Sequence, residues 1–92
     1  MLKQKISPSF RRDVKRLQRK CVDTKPLKEV MLLVLEDTRD AKKVLKQRHK
    51  MHALKGEWKD SLECHVANVG DWLLIWCVAD GFAVFQRTNW HS

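Results

Sequence analysis

The run Trp72-Leu73-Leu74-Ile75-Trp76-Cys77-Val78-Ala79, then Asp80-Gly81, then Phe82-Ala83-Val84-Phe85-Gln86-Arg87-Thr88 decides the fold. Its first part is apolar almost throughout, as expected of a central strand covered on both sides. Asp-Gly between two such runs is a strong hairpin signal, because a type I′ turn needs positive φ at both central positions. With Asp80 and Gly81 as the two loop residues, Leu74 faces Arg87 and Trp76 faces Phe85. Carrying the ladder further brings His91 level with Gly70, beside Asp71. Upstream, Glu57-Trp58-Lys59 and Leu62-Glu63-Cys64-His65-Val66 also alternate with the period of a strand. A loop made only of Val69 and Gly70 sets His65 against Leu74, in the row of Arg87. A one-residue change in that loop turns His65 to the other face.

The first half has a helical period. Ser7-Pro8-Ser9 reads as a helix start, since either serine can cap and proline suits the first turn. Phe10, Val14, Leu17 and Cys21 form one apolar stripe, and Arg11, Arg12, Lys15, Arg16, Arg19 and Lys20 form a basic outer face offset only by Asp13. A turn over residues 22–25 leads to Pro26 and a second helix. Its buried face is Leu27, Val30, Met31, Val34 and Leu35, with Leu32 and Leu33 making it apolar nearly all round. That helix either stops near Thr38 or runs on through Ala41, Val44 and Leu45, and Asp40 offers a cap for a separate short helix. Residues 1–6 are a short edge strand or an unpaired start. Residues 42–50 form a basic, exposed connection between the halves. The expected fold is α+β: two N-terminal helices packed on a twisted antiparallel sheet of about four strands.

Ninety-two residues build one domain, 1–92. Nineteen Lys and Arg against 11 Asp and Glu leave a net charge of +8, which points to a polyanion or to an acidic protein partner. No apolar run approaches the roughly 20 residues of a membrane span, and the basic N-terminus lacks the apolar segment of a signal peptide. No membrane partner and a cytoplasmic location are therefore expected. Three cysteines, Cys21, Cys64 and Cys77, form no disulfide pattern. A zinc site on Cys64, His65 and Cys77 is the weaker alternative, because neighbours 64 and 65 point to opposite faces of a strand. No metal and no cofactor are expected.

All four histidines fall in the second half: His49, His52, His65 and His91. His52, His65 and His91, with Glu63, Asp71 and Arg87, supply the parts needed to cut RNA through its own 2′-hydroxyl. One imidazole takes the 2′ proton, another protonates the departing 5′-oxygen, and cations hold the phosphate. A histidine is more often an ordinary surface or core residue, and His49, inside a charge run, stays with that default. Trp58, Trp72 and Trp76 read as core, and Trp90 as the best candidate for stacking on a base. The exposed cations of the first helix, with Lys55 and Lys59, are candidate RNA or ribosome contacts.

The segments His52-Ala53-Leu54-Lys55-Gly56-Glu57-Trp58-Lys59, Glu63-Cys64-His65-Val66, Asp71-Trp72-Leu73-Leu74-Ile75 and Arg87-Thr88-Asn89-Trp90-His91-Ser92 together resemble the YafQ branch of the RelE-type toxins. These are small basic proteins of bacterial type II toxin–antitoxin modules. The resemblance implies a RelE-like fold and a metal-independent endoribonuclease that cuts mRNA in the ribosomal A site, inhibits translation and is neutralised by an acidic antitoxin. It implies that His52, His65, His91, Glu63 and Asp71 are active-site residues and that Arg87 lies near the phosphate. His91 takes the acid role in that scheme, and His65 and His52 share the rest. Position 63 is Glu where some members carry Asp. The alternative is a non-catalytic basic RNA- or ribosome-binding domain, a decayed toxin. It rests on the same charge and on a chain that stops at Ser92, short of the aromatic residue with which the family often ends.

Overall fold

A computed structural model gives the backbone of residues 1–67 and 71–91, and the side chains of 1–67 and 71–89. In chain order the elements are β1 (Lys3–Ile6), α1 (Pro8–Arg19), α2 (Lys25–Glu36), α3 (Arg39–Arg48), β2 (His52–Ala53), β3 (Ser61–His65), β4 (Asp71–Ala79) and β5 (Phe82–His91). They form one five-stranded sheet in the order β1-β5-β4-β3-β2. Every pair is antiparallel except β1 with β5. The expected α+β class holds, with three helices in place of two and five strands in place of four.

The third helix arises at Asp37. Its φ of 55° is left-handed and ends α2, and the Thr38 hydroxyl then accepts the Ala41 N–H at 3.1 Å to start α3. Thr38 is the cap of the separate helix, rather than Asp40. The extra strands are β1, which settles residues 3–6 as an edge strand, and the two-residue β2. Residues 56–58 form a single 3-10 turn instead of a strand. Positive φ at Gly56 (74°) and Asp60 (71°) bends the backbone out of the extended region at both ends. Trp58 is consequently 38% exposed and outside the core.

Asp80 and Gly81 both have positive φ, 52° and 79°, as the I′ hairpin demands. From this turn Trp76 faces Phe85 as expected. Between Ile75 and Trp76 the register shifts, so Arg87 lies opposite Ile75 instead of Leu74 and His91 opposite Asp71 instead of Gly70. The cause is a bulge at Gln86, which has no partner of its own. On the other side His65 pairs with Leu73, not Leu74. The last described bond between these strands runs from the Val66 N–H to the Trp72 carbonyl at 2.8 Å, and the Val69-Gly70 loop expected from the sequence lies outside the described residues.

β4 is the central strand, but only one of its faces is fully covered. Trp72, Leu74 and Trp76 are at most 1% exposed, whereas Leu73, Ile75 and Cys77 are half-buried. The inward residues Cys64, Val66, Ala83 and Phe85 join them in one cluster with Phe10 and Leu17 of α1, Leu27, Val30 and Val34 of α2, and Leu45 of α3. All three helices therefore pack on one face and leave the other open.

The start of α1 takes over where β1 ends. Ser7 donates its N–H to the Phe85 carbonyl at 3.1 Å and its hydroxyl to the Gln86 carbonyl at 2.9 Å. The same hydroxyl accepts the Phe10 N–H at 3.0 Å and caps the helix. At the other end of α1, Cys21 has φ 58° and is exposed rather than part of the apolar stripe. Its N–H bonds the Gln18 carbonyl and the Val22 N–H bonds that of Leu17, both at 3.0 Å, which is the Schellman arrangement that favours glycine. Cys21→Gly should therefore stabilise the fold by about 0.5–1 kcal/mol. Thermal unfolding should show a rise of roughly 2–8 °C in Tm, and an unchanged or lower Tm would contradict the assigned strain.

Candidate active site

Three successive rows of the open face collect the residues singled out from the sequence. One row runs His52, Glu63, Ile75, Arg87 across β2, β3, β4 and β5. The next, two residues along, is His65, Leu73, Asn89. The third sets Asp71 opposite His91. Strands lie about 4.8 Å apart and alternate residues about 6.7 Å apart along a strand, so the set spans roughly 20 Å. His52 and His65 are diagonal neighbours on adjacent strands, as are His65 and Asp71. The side chains of His91 and Trp90 lie outside the described residues, so the stacking role of Trp90 lies there too.

His52 is the best-defined imidazole. Its Nε2 is 3.2 Å from Glu63 Oε1 and its Nδ1 is 3.0 Å from the Lys50 carbonyl. Both neighbours are acceptors, so both contacts are hydrogen bonds only when the ring carries two protons. Glu63 is 18% exposed and His52 50%, which leaves the ring reachable from solvent. Leu73 and Ile75 form an apolar floor between the histidines and Arg87. Beside this floor the Ser61 hydroxyl bonds Gln86 Oε1 at 2.9 Å.

Arg87 closes the first row, and its guanidinium is held by Asp13 of α1. Nε lies 2.8 Å from Oδ2 and Nη2 3.2 Å from Oδ1. The bonded carboxylate raises the arginine pKa further above its ordinary value. Asp13 is 3% exposed and also accepts the Thr88 N–H at 3.1 Å, on a stretch of β5 that β1 no longer covers. In the sequence Asp13 stands out only as the lone offset to the cations of α1. Its position three residues after Phe10 and four before Leu17 places it inside the apolar stripe, and that was the available signal.

His49 was also left out of the candidate set. It caps the C-terminus of α3, and its Nδ1 lies 2.8 Å from the His65 carbonyl while its own carbonyl accepts the His65 N–H at 2.7 Å. The signal here was Ala41, Leu45 and His49 at four-residue spacing, with the first two buried.

The zinc alternative does not assemble. Cys64 faces the helices with no exposure, while His65 and Cys77 lie on the open face. Burial, and secondarily the Glu63 charge, push the Cys64 thiol up to about 12, whereas a ligand must be thiolate. Among the described residues no three His, Cys, Asp or Glu side chains are grouped to hold a metal. The cations Arg11, Arg12, Lys15, Arg16, Arg19 and Lys20 of α1 are all exposed, as are Lys55 and Lys59. Among the described residues no helix is long and apolar enough to cross a membrane.

Residues 2–92 match the family described as the bacterial toxin of type II toxin–antitoxin system, YafQ. The mRNA interferase toxin YafQ of Escherichia coli is 34% identical over 86 residues, which cover 94% of this chain and 87% of that protein. A crystal structure of a copper-bound mutant toxin from Helicobacter pylori superposes with a TM-score of 0.83 at 32% identity, over 99% of this chain and 96% of that one. The YafQ chain in the Escherichia coli DinJ–YafQ complex gives 0.81 at 32% identity, over 99% and 94%. The chain belongs to the YafQ family of type II toxin–antitoxin toxins.

Replacing Asp13 with alanine strips acceptors from both Arg87 and the Thr88 N–H. Urea unfolding of Asp13→Ala should register a loss of about 2–4 kcal/mol. A loss below about 0.5 kcal/mol, the level of an ordinary surface substitution, would mean that this pairing does not hold α1 to β5.

Proposed function

We propose that this toxin is an endoribonuclease that cleaves mRNA in the ribosomal A site and so inhibits translation. The observation that carries the proposal is the row His52, Glu63, Ile75, Arg87, with His65 and the Asp71–His91 pair in the two rows beside it. A histidine base removes the 2′-hydroxyl proton and the freed oxygen attacks phosphorus. The bond to the 5′-oxygen breaks, and a histidine acid protonates the leaving oxygen. The products are a 2′,3′-cyclic phosphate and a 5′-hydroxyl. His91 is assigned the acid, and His65 and His52 share the base role and the stabilisation of charge. Glu63 orients His52, Asp71 does the same for its register partner, and Arg87 faces the phosphate with its part-exposed guanidinium. No step of this scheme draws on a metal ion or a cofactor.

The Escherichia coli relatives are named mRNA interferase toxins, and one of them is solved with DinJ as a toxin–antitoxin complex. By the same pattern this chain, with a net charge of +8, takes an acidic antitoxin as its partner. Its working partners are translated mRNA and ribosomal RNA, which sets its place in the cytoplasm. The exposed cations of α1, with Lys55 and Lys59, contact RNA phosphates.

Primer extension on a translated reporter mRNA tests the chemistry. The wild type should give discrete cuts within codons, and His65→Ala or His91→Ala should lower cutting by about 10²–10⁴-fold. Translational arrest without cuts would replace this reading with a non-catalytic basic RNA- or ribosome-binding domain.

The α1 surface has its own test. Arg12→Glu with Arg16→Glu should weaken co-sedimentation with ribosomes and flatten its dependence on salt, since each phosphate contact adds about one to the slope. Unchanged co-sedimentation with an intact fold would remove α1 from the interface.

A further inference from the structure

We propose that His49 is a positioning residue for His65, an inference that rests on the catalytic reading above. β2 has two residues, and they pair only with Leu62 and Glu63. Beyond Glu63 this edge of β3 has no strand beside it among the described residues. The N–H and carbonyl that His65 presents there need other partners, because an unmet backbone group weakens a sheet edge. His49 supplies both. Its carbonyl accepts the His65 N–H at 2.7 Å, and its ring meets the His65 carbonyl at 2.8 Å. A carbonyl can only accept, so His49 Nδ1 carries the proton and donates. One residue thus does the work of a strand, with main chain on one side and side chain on the other.

The anchor behind His49 is rigid. The His49 N–H bonds the Leu45 carbonyl at 3.1 Å, and the Met51 N–H bonds the same carbonyl at 3.0 Å. Leu45 is 2% exposed, in the core. Lys50, with φ 53°, turns the chain between these two bonds and offers its carbonyl to His52 Nδ1. Residues 49–52 therefore grip β3 at two points, His65 through His49 and Glu63 through His52. That grip sets two of the site's imidazoles, His52 and His65, in one register. Acid–base chemistry is sensitive to such placement, and a 1 Å error remote from the reacting atoms can cost about 10²-fold.

The test uses His49→Ala and His49→Asn. The Asn amide nitrogen is two bonds from Cβ, like Nδ1, and can donate to the same carbonyl. His49→Ala should lower kcat for mRNA cleavage by about 10–100-fold, with KM for programmed ribosomes nearly unchanged. His49→Asn should recover most of the loss. Histidine ¹H–¹⁵N spectra, taken well below each variant's Tm, give a second readout that needs no cleavage. The wild type should show His49 as the Nδ1–H tautomer, and the His65 ring signals should move in His49→Ala and return in His49→Asn.

Wild-type kcat in His49→Ala, or unmoved His65 signals, overturns the proposal. So does an Asn variant as impaired as the Ala variant, since the ring would then act by some other means. If the wild type cuts no mRNA while the His65 signals respond and recover, the positioning stands and the catalytic reading fails.

Discussion

A single unpaired residue, Gln86, decides what the open face of the sheet carries. Side chains alternate across a strand, so an extra residue exchanges inner and outer positions for everything beyond it. Without the bulge Arg87 would sit opposite Leu74, a position fully buried against the helices. With it, Thr88 turns inward at 1% exposure, bonding Trp72 Nε1 and the Leu73 carbonyl, each at 2.9 Å. Arg87 joins the row of Glu63 and His52, and His91 comes level with Asp71. The bulge is held from outside β5. The Ser7 hydroxyl bonds the Gln86 carbonyl, the Gln86 side chain reaches Ser61, and Asp13 takes the Thr88 N–H and Arg87.

Sheet edges are where this small domain does most of its polar work. β1 covers β5 only as far as Phe85, after which Ser7 and Asp13 of the α1 segment satisfy the strand. β2 covers β3 only as far as Glu63, after which His49 takes over. In both places a helix terminus or helix side chain replaces a missing strand. Each substitution holds a residue of the proposed site, Arg87 in one case and His65 in the other. The short outer strands leave room for these contacts, and a longer ladder on either side would displace them.

Much of this was legible in the residues. The Asp80-Gly81 turn, the inward Trp72 and Trp76, the helix start within Ser7-Pro8-Ser9 and the α+β class follow from local chemistry that acts over a few positions. The grouping of His52, Glu63, His65 and Asp71 was expected from the resemblance, whereas the strand assignments alone left the face of His65 to the length of one loop. The register was not legible. A bulge has no composition signal at Gln86, and the 67–70 turn offers Gly70 but no fixed loop length, so the two ladders were each displaced by one residue. The break between α2 and α3 was one of two open readings, because Ala41, Val44 and Leu45 continue the apolar period while Asp37, which tolerates positive φ, looks like any exposed acid. Asp13 and His49 were passed over because charge runs surround them, although each lies at helical spacing from buried residues.

The two faces of β3, β4 and β5 join stability to chemistry more closely than a loop-borne site would. Glu63 and His65 alternate with buried Cys64 and Val66, and Ile75 lies between Leu74 and Trp76. His65, Leu73 and Ile75 are flanked on both sides along the strand by core residues at most 2% exposed, and Glu63 on one side by Cys64. A core packed at solid-like density fixes the pleat, and through it the spacing of the outward side chains. Preorganisation of this kind lets the site stay in place while open to solvent, with no lid or cleft among the described residues required to assemble it. It also means that the apolar floor of Leu73 and Ile75 stays half-exposed whenever the face is empty. A macromolecule as extended as RNA can lie across such a face, whereas a small metabolite would find few walls to hold it.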